Sequence, residues 1–472
     1  MQQTISKFKA YFENLRGRKV AVIGIGVSNL PLLDLLIEYG AEVTAHDTKT
    51  AEQLGKTAEA LQAKGVTLKV GTDYLTGLNC DVIFRSPGVY ANTEALQEAK
   101  NRGVQVTSEM EAFFETTEAK IIGVTGSDGK TTTTTLISEM LKAAGYTVYL
   151  GGNIGTPLLN QCEKMQSTHI AVVELSSFQL QTLTKSPQIA VITNLTPNHL
   201  DVHANMEEYT EAKKNIYTHQ NKDDLLVLNA NCEALTPMRD EAKGRLASFG
   251  KDEIAGAFRT VTLKGGYIYC NGKSILDTKD IRIPGKHNIE NYMTAIAAVF
   301  DLVKTEEIEQ VAKNFAGVEH RVEFVRNVKG VSYYNDSIAS SPTRTAAALH
   351  TFTQKGIFIL GGKNKKVPFD DLAALCNEKA KAVILCGDTA REIEEAFKKI
   401  GATVPLHVLP KETTEREPSS FDAAVKKAAE IAVKGDIVIL SPACTSFDMF
   451  ENFAKRGNYF KELVSQMEKE PK

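Results

Sequence analysis

Short runs of valine and isoleucine alternate with amphipathic stretches along almost the whole chain. "KVAVIG", "IIGVTG", "HIAVVEL", "QIAVITNL", "DDLLVLNA", "KGIFILGG", "KAVILCGD" and "GDIVILSPA" are apolar at consecutive positions, not at every second one. A strand buried on both faces reads this way, and the stretches between are long enough for crossover helices. The pattern predicts an α/β fold with mostly parallel sheets.

Three segments begin afresh with a strand, a loop and a helix. The first is "KVAVIGIGVSNLPLLDLLIEYG" with the strand "AEVTAHD" after it, the second starts at "AKIIGVTG", and the third follows "EHRVEFV". Boundaries are expected near residues 115 and 320, giving domains 1–115, 116–319 and 320–472. A chain of 472 residues is too long for one hydrophobic core in any case. "TVTLKGGYIYCNGKSIL" breaks the rhythm and reads as a β-hairpin excursion inside the second domain.

Composition narrows the class. The chain is 43% hydrophobic and 24% charged, and its net charge of −3 offers no basic field to nucleic acid or a membrane surface. "MQQTISKFKAYFENLRGRKV" lacks the apolar core of a signal peptide, and no run approaches the roughly 20 apolar residues of a membrane span. Seven scattered cysteines without a CxxC pair point to reduced thiols, not to disulfides or a zinc site. The expectation is a soluble cytoplasmic protein with no nucleic-acid partner.

The candidate chemistry starts at "IIGVTGSDGKTTTTTLISEMLKAAG", Ile121 to Gly145. Glycines at 123, 126 and 129 let the backbone bend so that successive N–H groups face an anion. A helix beginning at Thr131 adds its positive end. Thr125, Gly126, Ser127, Asp128, Gly129, Lys130, Thr131 and Thr132 then cradle phosphates, with Lys130 on the β/γ-phosphates and the Thr131 hydroxyl on magnesium. The spacing departs from a strict Walker A, since Val124 stands where a glycine belongs. The plain alternative is a glycine-rich turn that binds nothing; the strand, helix and Lys-Thr pair favour ATP with magnesium.

Strand ends downstream offer partners, because ligands gather at the carboxyl ends of strands in open α/β sheets. Glu174 of "VVELSSFQL" is a candidate magnesium ligand or a capping carboxylate. His199, Asp201 and His203 follow "ITNLTPN"; His199 reads as a ligand or as a hydrogen-bonded loop histidine. In the first domain "VIGIGVSN", with Asp47 about 20 residues on, invites a dinucleotide reading. Asn29 in place of the third glycine weakens it.

In this order, "GVTGSDGKTTTT", "GGNIGTPLL", "ELSSFQL", "NHLDVH", "YTEAKKNIY", "GKHNIEN", "EHRVEFV", "NDSIASSPTRT" and "LSPACTSFDMFENFAKRG" resemble the Mur ligases, from about Gly24 to Phe460. "ELSSFQL" and "SPACTSFDMF" look most like the branch that adds D-glutamate to UDP-N-acetylmuramoyl-L-alanine. The resemblance implies a Rossmann-like first domain for the uridine substrate, a central P-loop-type ATPase and a Rossmann-like third domain for the amino acid. It also implies an ADP-forming ligase acting through an acyl phosphate, as a monomer.

Residue by residue, the resemblance puts Thr131 and Glu174 on a first magnesium and His199 with a carbamylated Lys213 on a second. Lys213 fills the lysine of "YTEAK"; on pattern alone a helical lysine is a solvated residue, and Lys214 would be the one facing outward. Asn288 and Asn291 fall near adenine or metal, Arg321 at the phosphates and Asp336 at the ribose. Arg321 also reads as an inter-domain salt bridge and Asp336 as a helix N-cap. Val27, Ser28, Asp47, Thr48, Lys49, Ser86, Gly88 and Asn153 would line the path of the uridine substrate. Ser340, Lys365, Ser446 and Phe453 would hold D-glutamate. Ile338 and Ser340 stand where the family often has Lys and Thr, and Lys363, Lys365 and Lys366 compete for the glutamate carboxylate. Lys365 is favoured by its spacing from the two glycines. Rival readings are a related ligase for another amino acid, an NAD-binding oxidoreductase, and a nucleotide-gated binding module.

Overall fold

In a computed structural model the described residues are 6–197, 203–251, 253–363, 367–410 and 418–467. Among them the strands form three sheets. The first is wholly parallel and takes β1 (Lys19–Ile23), β2 (Glu42–Asp47), β3 (Thr67–Val70), β4 (Val82–Arg85) and β5 (Gln105–Thr107) in the order β3-β2-β1-β4-β5. Its order reverses between β1 and β4, so the loops after Ile23 and Arg85 share one crevice.

The second sheet begins with β6 (Lys120–Thr125), β7 (Val148–Gly152), β8 (Ile170–Glu174), β9 (Ile189–Ile192), β10 (Leu225–Asn229) and β11 (Arg245–Gly250). It is completed by β12 (Arg259–Lys264), β13 (Tyr267–Cys270) and β14 (Lys273–Asp277). The order is β14-β13-β12-β11-β10-β9-β6-β8-β7. Pairing is parallel from β7 to β12 and antiparallel at the β12-β13-β14 edge, so the expected excursion extends the sheet as a meander. β6 lies between β8 and β9, and the residues that follow these three strands converge on the phosphate loop.

The third sheet orders β15 (Glu323–Val328), β16 (Val331–Asn335), β17 (Gly356–Gly361), β18 (Ala380–Gly387), β19 (Leu406–Pro410) and β20 (Ile437–Leu440) as β15-β16-β20-β17-β18-β19. Only β15 runs antiparallel to its neighbour. β17 shows why its run is apolar throughout. Phe358 and Leu360 enter one core cluster while Ile357 and Ile359 enter the cluster on the other face. The α/β class with mostly parallel sheets is therefore the one observed.

The chain divides into two compact units. One runs through Asp280 and includes Glu290–Val311; the other is Ile281–Ile289 with Ala312 onward. Within the first unit one core joins the first two sheets, from Phe8 and Phe12 through Phe113 to Leu228. No described helix is long and apolar enough to cross a membrane.

The helix Glu109–Thr116, capped by Ser108, links those two sheets and carries two buried carboxyls. Burial pushes Glu109 and Glu111 up to about 7. As pH rises from 4.5 the unfolded Glu109 ionises while the folded one keeps its proton, so this group's contribution to stability declines and is lost above about pH 7. Glu109→Gln removes that loss. Its melting temperature should exceed wild type at pH 8, by the equivalent of about 2–3 kcal/mol, and match it near pH 4.5. Thermal unfolding at the two pH values checks this; equal gaps would contradict it.

Candidate active site

The phosphate loop follows β6 and leads into the helix Lys130–Ala143, one residue earlier than expected from the sequence. Its glycines are required by contact. At Gly126 (φ +148°) a Cβ would lie 1.9 Å from Thr193 Oγ1, and at Gly129 (φ +77°) 2.5 Å from Asn291 Oδ1. Asn194 holds the loop: its Oδ1 accepts from the N–H groups of Ser127 (3.0 Å) and Asp128 (2.8 Å). Thr193 Oγ1 donates to the Asp128 carbonyl at 2.5 Å, and Ser127 Oγ to the Thr196 carbonyl at 2.8 Å. Thr125 Oγ1 donates to the Leu175 carbonyl, and Thr133 Oγ1 to Asn291 Oδ1. No side chain caps the helix, so its first turn presents backbone N–H groups and the positive end of its dipole at the loop. Lys130 Nζ folds back on the carbonyls of Gly126 and Ser127, 2.9 Å from each. Thr131 is buried in the first turn, and Thr132 is half-buried beside it.

Two further groups meet this loop. Glu174, at the end of β8, is fully buried; its Oε1 accepts from Asn153 Nδ2 at 2.8 Å. Its Oε2 has no partner among the described residues. A buried carboxyl oxygen without a donor is a place a cation would fill, and magnesium takes oxygen ligands of this kind. Asn153, expected on the uridine substrate's path, thus lies against Glu174.

Lys213 comes from the helix Met206–Lys214, which Asn205 caps through the Glu208 N–H. Its side chain is buried, with Nζ donating to the Gly126 carbonyl (2.9 Å) and Thr125 Oγ1 (3.2 Å) and lying over the Tyr209 ring. Burial first, and the Lys130 charge second, bring its amine from 10.5 to about 7. Lys214, expected to face outward, is instead partly covered and pairs with Glu241 and Glu211. His199 and Asp201 lie outside the described residues. His203 stacks on Phe178 at 5.0 Å, with Nε2 2.9 Å from Ser177 Oγ, and so packs on "ELSSFQL".

At the first sheet, Val27 is exposed and Ser28 opens the helix Asn29–Glu38. Asp47 is occupied structurally: Oδ2 accepts from Ile25 N at 2.7 Å and Oδ1 from Lys49 N at 2.9 Å, with Thr48 Oγ1 at 3.5 Å. Asn29, in the third glycine position of the dinucleotide pattern, donates to the Gly24 carbonyl and is buried. A Cβ on Gly24 would come 2.6 Å from Ser86 Cβ, so the loops after β1 and β4 touch, with Gly88 two residues on.

In the second unit, Arg321 lies between two strained residues, His320 (φ 62°) and Val322 (φ 43°). Asn335 holds that strain through His320 Nδ1 and Glu323 Oε2, and Asp336 Oδ1 accepts from Val322 N. Asp336 follows β16 and caps no helix; burial pushes its carboxyl up to about 7, with Arg321 and Arg344 opposing. Asn288 donates to the Pro284 carbonyl.

The fully buried Arg456 gathers the ends of β16 and β20. Its guanidinium donates to Ser337 Oγ and to the carbonyls of Ser337, Cys444 and Thr445, at 2.9–3.1 Å. Ser337 Oγ in turn donates to the Phe453 carbonyl, and Lys363 pairs backbone to backbone with Thr445. The segments bearing Ser340, Ser446 and Phe453 are thus tied together, Ser446 buried and Phe453 exposed. Lys365 lies outside the described residues. Sequence reasoning passed over Asn194 and Arg456. Arg456 had a signal: with Gly457, Phe460 and Val464 it sits in helical phase on a buried face.

Three family models match the chain: Mur ligase MurD-like, N-terminal domain, over 18–108; Mur ligase middle domain, over 124–299; and Mur ligase, glutamate ligase domain, over 320–444. A UDP-N-acetylmuramoylalanine--D-glutamate ligase from Clostridium botulinum (strain Langeland) is 47% identical over 99% of this chain and 100% of its own. One so named from Clostridium perfringens is 45% identical over the same shares. The crystal structure of a UDP-N-acetylmuramate-alanine ligase from Thermotoga maritima matches 96% of this chain and 99% of its own, with TM-score 0.54 and 17% identity, a likeness of fold.

Asn194→Ala removes the acceptor for two loop N–H groups. Affinity for a non-hydrolysable ATP analogue, read by calorimetry, should fall about tenfold or more. Unchanged affinity would show that the loop holds its shape without Asn194.

Proposed function

The chain belongs to the Mur ligase family, and on that footing we propose that it joins D-glutamate to UDP-N-acetylmuramoyl-L-alanine, converting ATP to ADP and phosphate. The observation that carries this reading is identity of 45–47% over 99% of the chain to relatives so named. The arrangement around the phosphate loop supports it. A carboxylate attacking a γ-phosphate brings anion to anion, so positive charge must be concentrated where they meet. Lys130 and the uncapped first turn of its helix supply part of that charge from the chain itself.

Magnesium, when bound, screens the phosphates and steadies the oxygens of the transferring group. Thr131 and Glu174 are the proposed ligands of one ion, and His199 with Lys213 those of a second. Lys213 suits a carbamate because its amine is held close to neutral, leaving the nitrogen lone pair free to add to CO₂. Addition of CO₂ releases one proton and leaves an anionic carbamate, which the neighbouring Lys130 charge attracts, whereas it opposes the protonated amine. Once the L-alanyl carboxylate carries the phosphoryl group, the D-glutamate amine attacks the acyl carbon. The bond from that carbon to the phosphate oxygen breaks, and the amine loses a proton as the amide forms.

Residues 1–115 are the proposed uridine-substrate domain, 116–319 the ATPase and 320–472 the amino-acid domain. Val27, Ser28, Thr48, Lys49, Ser86 and Gly88 are the proposed contacts of the uridine substrate, with Asp47 shaping the loops after β1 and β2. Asn291 stands over Gly129 and is a proposed nucleotide contact. Ser340, Lys365, Ser446 and Phe453 are the proposed D-glutamate contacts. All seven cysteines are free thiols, which suits a cytoplasmic setting.

The test is ADP release from purified protein with ATP, Mg²⁺ and UDP-N-acetylmuramoyl-L-alanine. ADP formation should require D-glutamate and fail with L-glutamate, L-lysine or diaminopimelate. Turnover with one of those instead would keep the ligase chemistry and overturn the substrate.

A further inference from the structure

The loop after β4 is fastened to the central sheet's helices at both of its ends. At its start Arg85 is buried, although it sits on a strand of the first sheet. Nη1 donates to the carbonyls of Ser86 (3.3 Å) and Val89 (2.5 Å), closing the loop on itself. Nη2 donates across to the Phe178 carbonyl (3.0 Å) and toward Thr182 Oγ1 (3.5 Å), on and just after the short helix Ser177–Leu180. At the loop's far end Tyr90 OH donates to Glu208 Oε1 at 2.8 Å. That carboxylate also accepts from Gln181 Nε2 and from Ala204 N, so it is a shared anchor and not a lone surface pair.

Glu208 stands in the first turn of the helix whose last turn bears Lys213. Five residues of helix separate them, about 7.5 Å of rise. One rigid element therefore takes the Ser86–Gly88 loop at one end and the phosphate loop at the other, through Lys213 and the Gly126 carbonyl. The phosphate loop has its own separate fastening in Asn194 and Thr193.

We infer that Arg85 and Tyr90 are positioning residues that set the distance between the uridine substrate and the transferred phosphate, by clamping the Ser86–Gly88 loop to the helices bearing Phe178 and Glu208. The inference rests on the function proposed above and adds two residues to it. Neither side chain is assigned a contact with substrate.

Tyr90→Phe keeps the ring and removes only the hydroxyl's hydrogen bond to Glu208, which keeps its Gln181 and Ala204 donors, so the fold is spared. The KM for UDP-N-acetylmuramoyl-L-alanine should rise about fivefold, with the KM for ATP within about twofold of wild type. Arg85→Ala should raise the same KM further, and Arg85→Lys should recover part of the loss, since one ammonium cannot serve both the loop and Phe178. A purely structural role would lower kcat or thermal stability and leave the KM values in their original ratio, and that result would overturn the clamp. So would variants whose uridine-substrate KM stays at the wild-type value while wild type turns over normally. Absence of wild-type turnover would strike the functional reading itself, and the clamp with it.

Discussion

A lysine amine almost without access to water, placed beside a second lysine at a loop built for anions, is the constraint on which the central site depends. Removing an ammonium from water is costly, and among the described residues Lys213 meets a carbonyl, a hydroxyl and an aromatic face there. Its proton is therefore weakly held. A chain selected for stability alone would place an apolar residue at that position. The carbamate proposed above would use that property, since only the unprotonated amine can add to CO₂ as a nucleophile. The Oε2 of Glu174, buried without a partner among the described residues, is the complementary case, an acceptor that a cation would satisfy. Both groups stand on well-fastened elements: Asn205 caps one helix, and β8 is paired on both sides.

The second unit solves a similar problem with a cation that stays charged. Arg456 is enclosed, and burial brings it down only to about 10. Four donated hydrogen bonds to three residues replace its water. What that secures is shape: the turns after β16 and β20 are irregular, with Ala443 at φ 60° and the strained pair around Arg321 nearby. Strain of this kind persists only where surrounding bonds over-determine it, and the Asn335, Glu323 and Arg456 contacts do so.

Much of the fold was legible because strands covered on both faces leave long apolar runs, as β17 does by sending Phe358 and Ile359 into opposite cores. The phosphate loop was legible because glycines and a Lys-Thr pair between strand and helix have few other uses. Lys213 was not, since helical phase cannot say which of two adjacent lysines is buried; only the resemblance singled it out. Asn194 and Arg85 act through backbone groups distant in sequence, and a linear pattern carries no mark of such pairings. Asp47 shows the converse. The dinucleotide pattern places it at a ribose, yet its oxygens are taken by the N–H groups of Ile25 and Lys49, which shape the loops around the crevice.

The claim that a neutral, dry Lys213 amine is there to be carboxylated is open to direct observation. Protein equilibrated with ¹³C-bicarbonate near pH 8 should give a carbamate carbon resonance that Lys213→Ala lacks and Lys214→Ala retains. A resonance that survives in Lys213→Ala, or none in the wild-type protein at that pH, would contradict it.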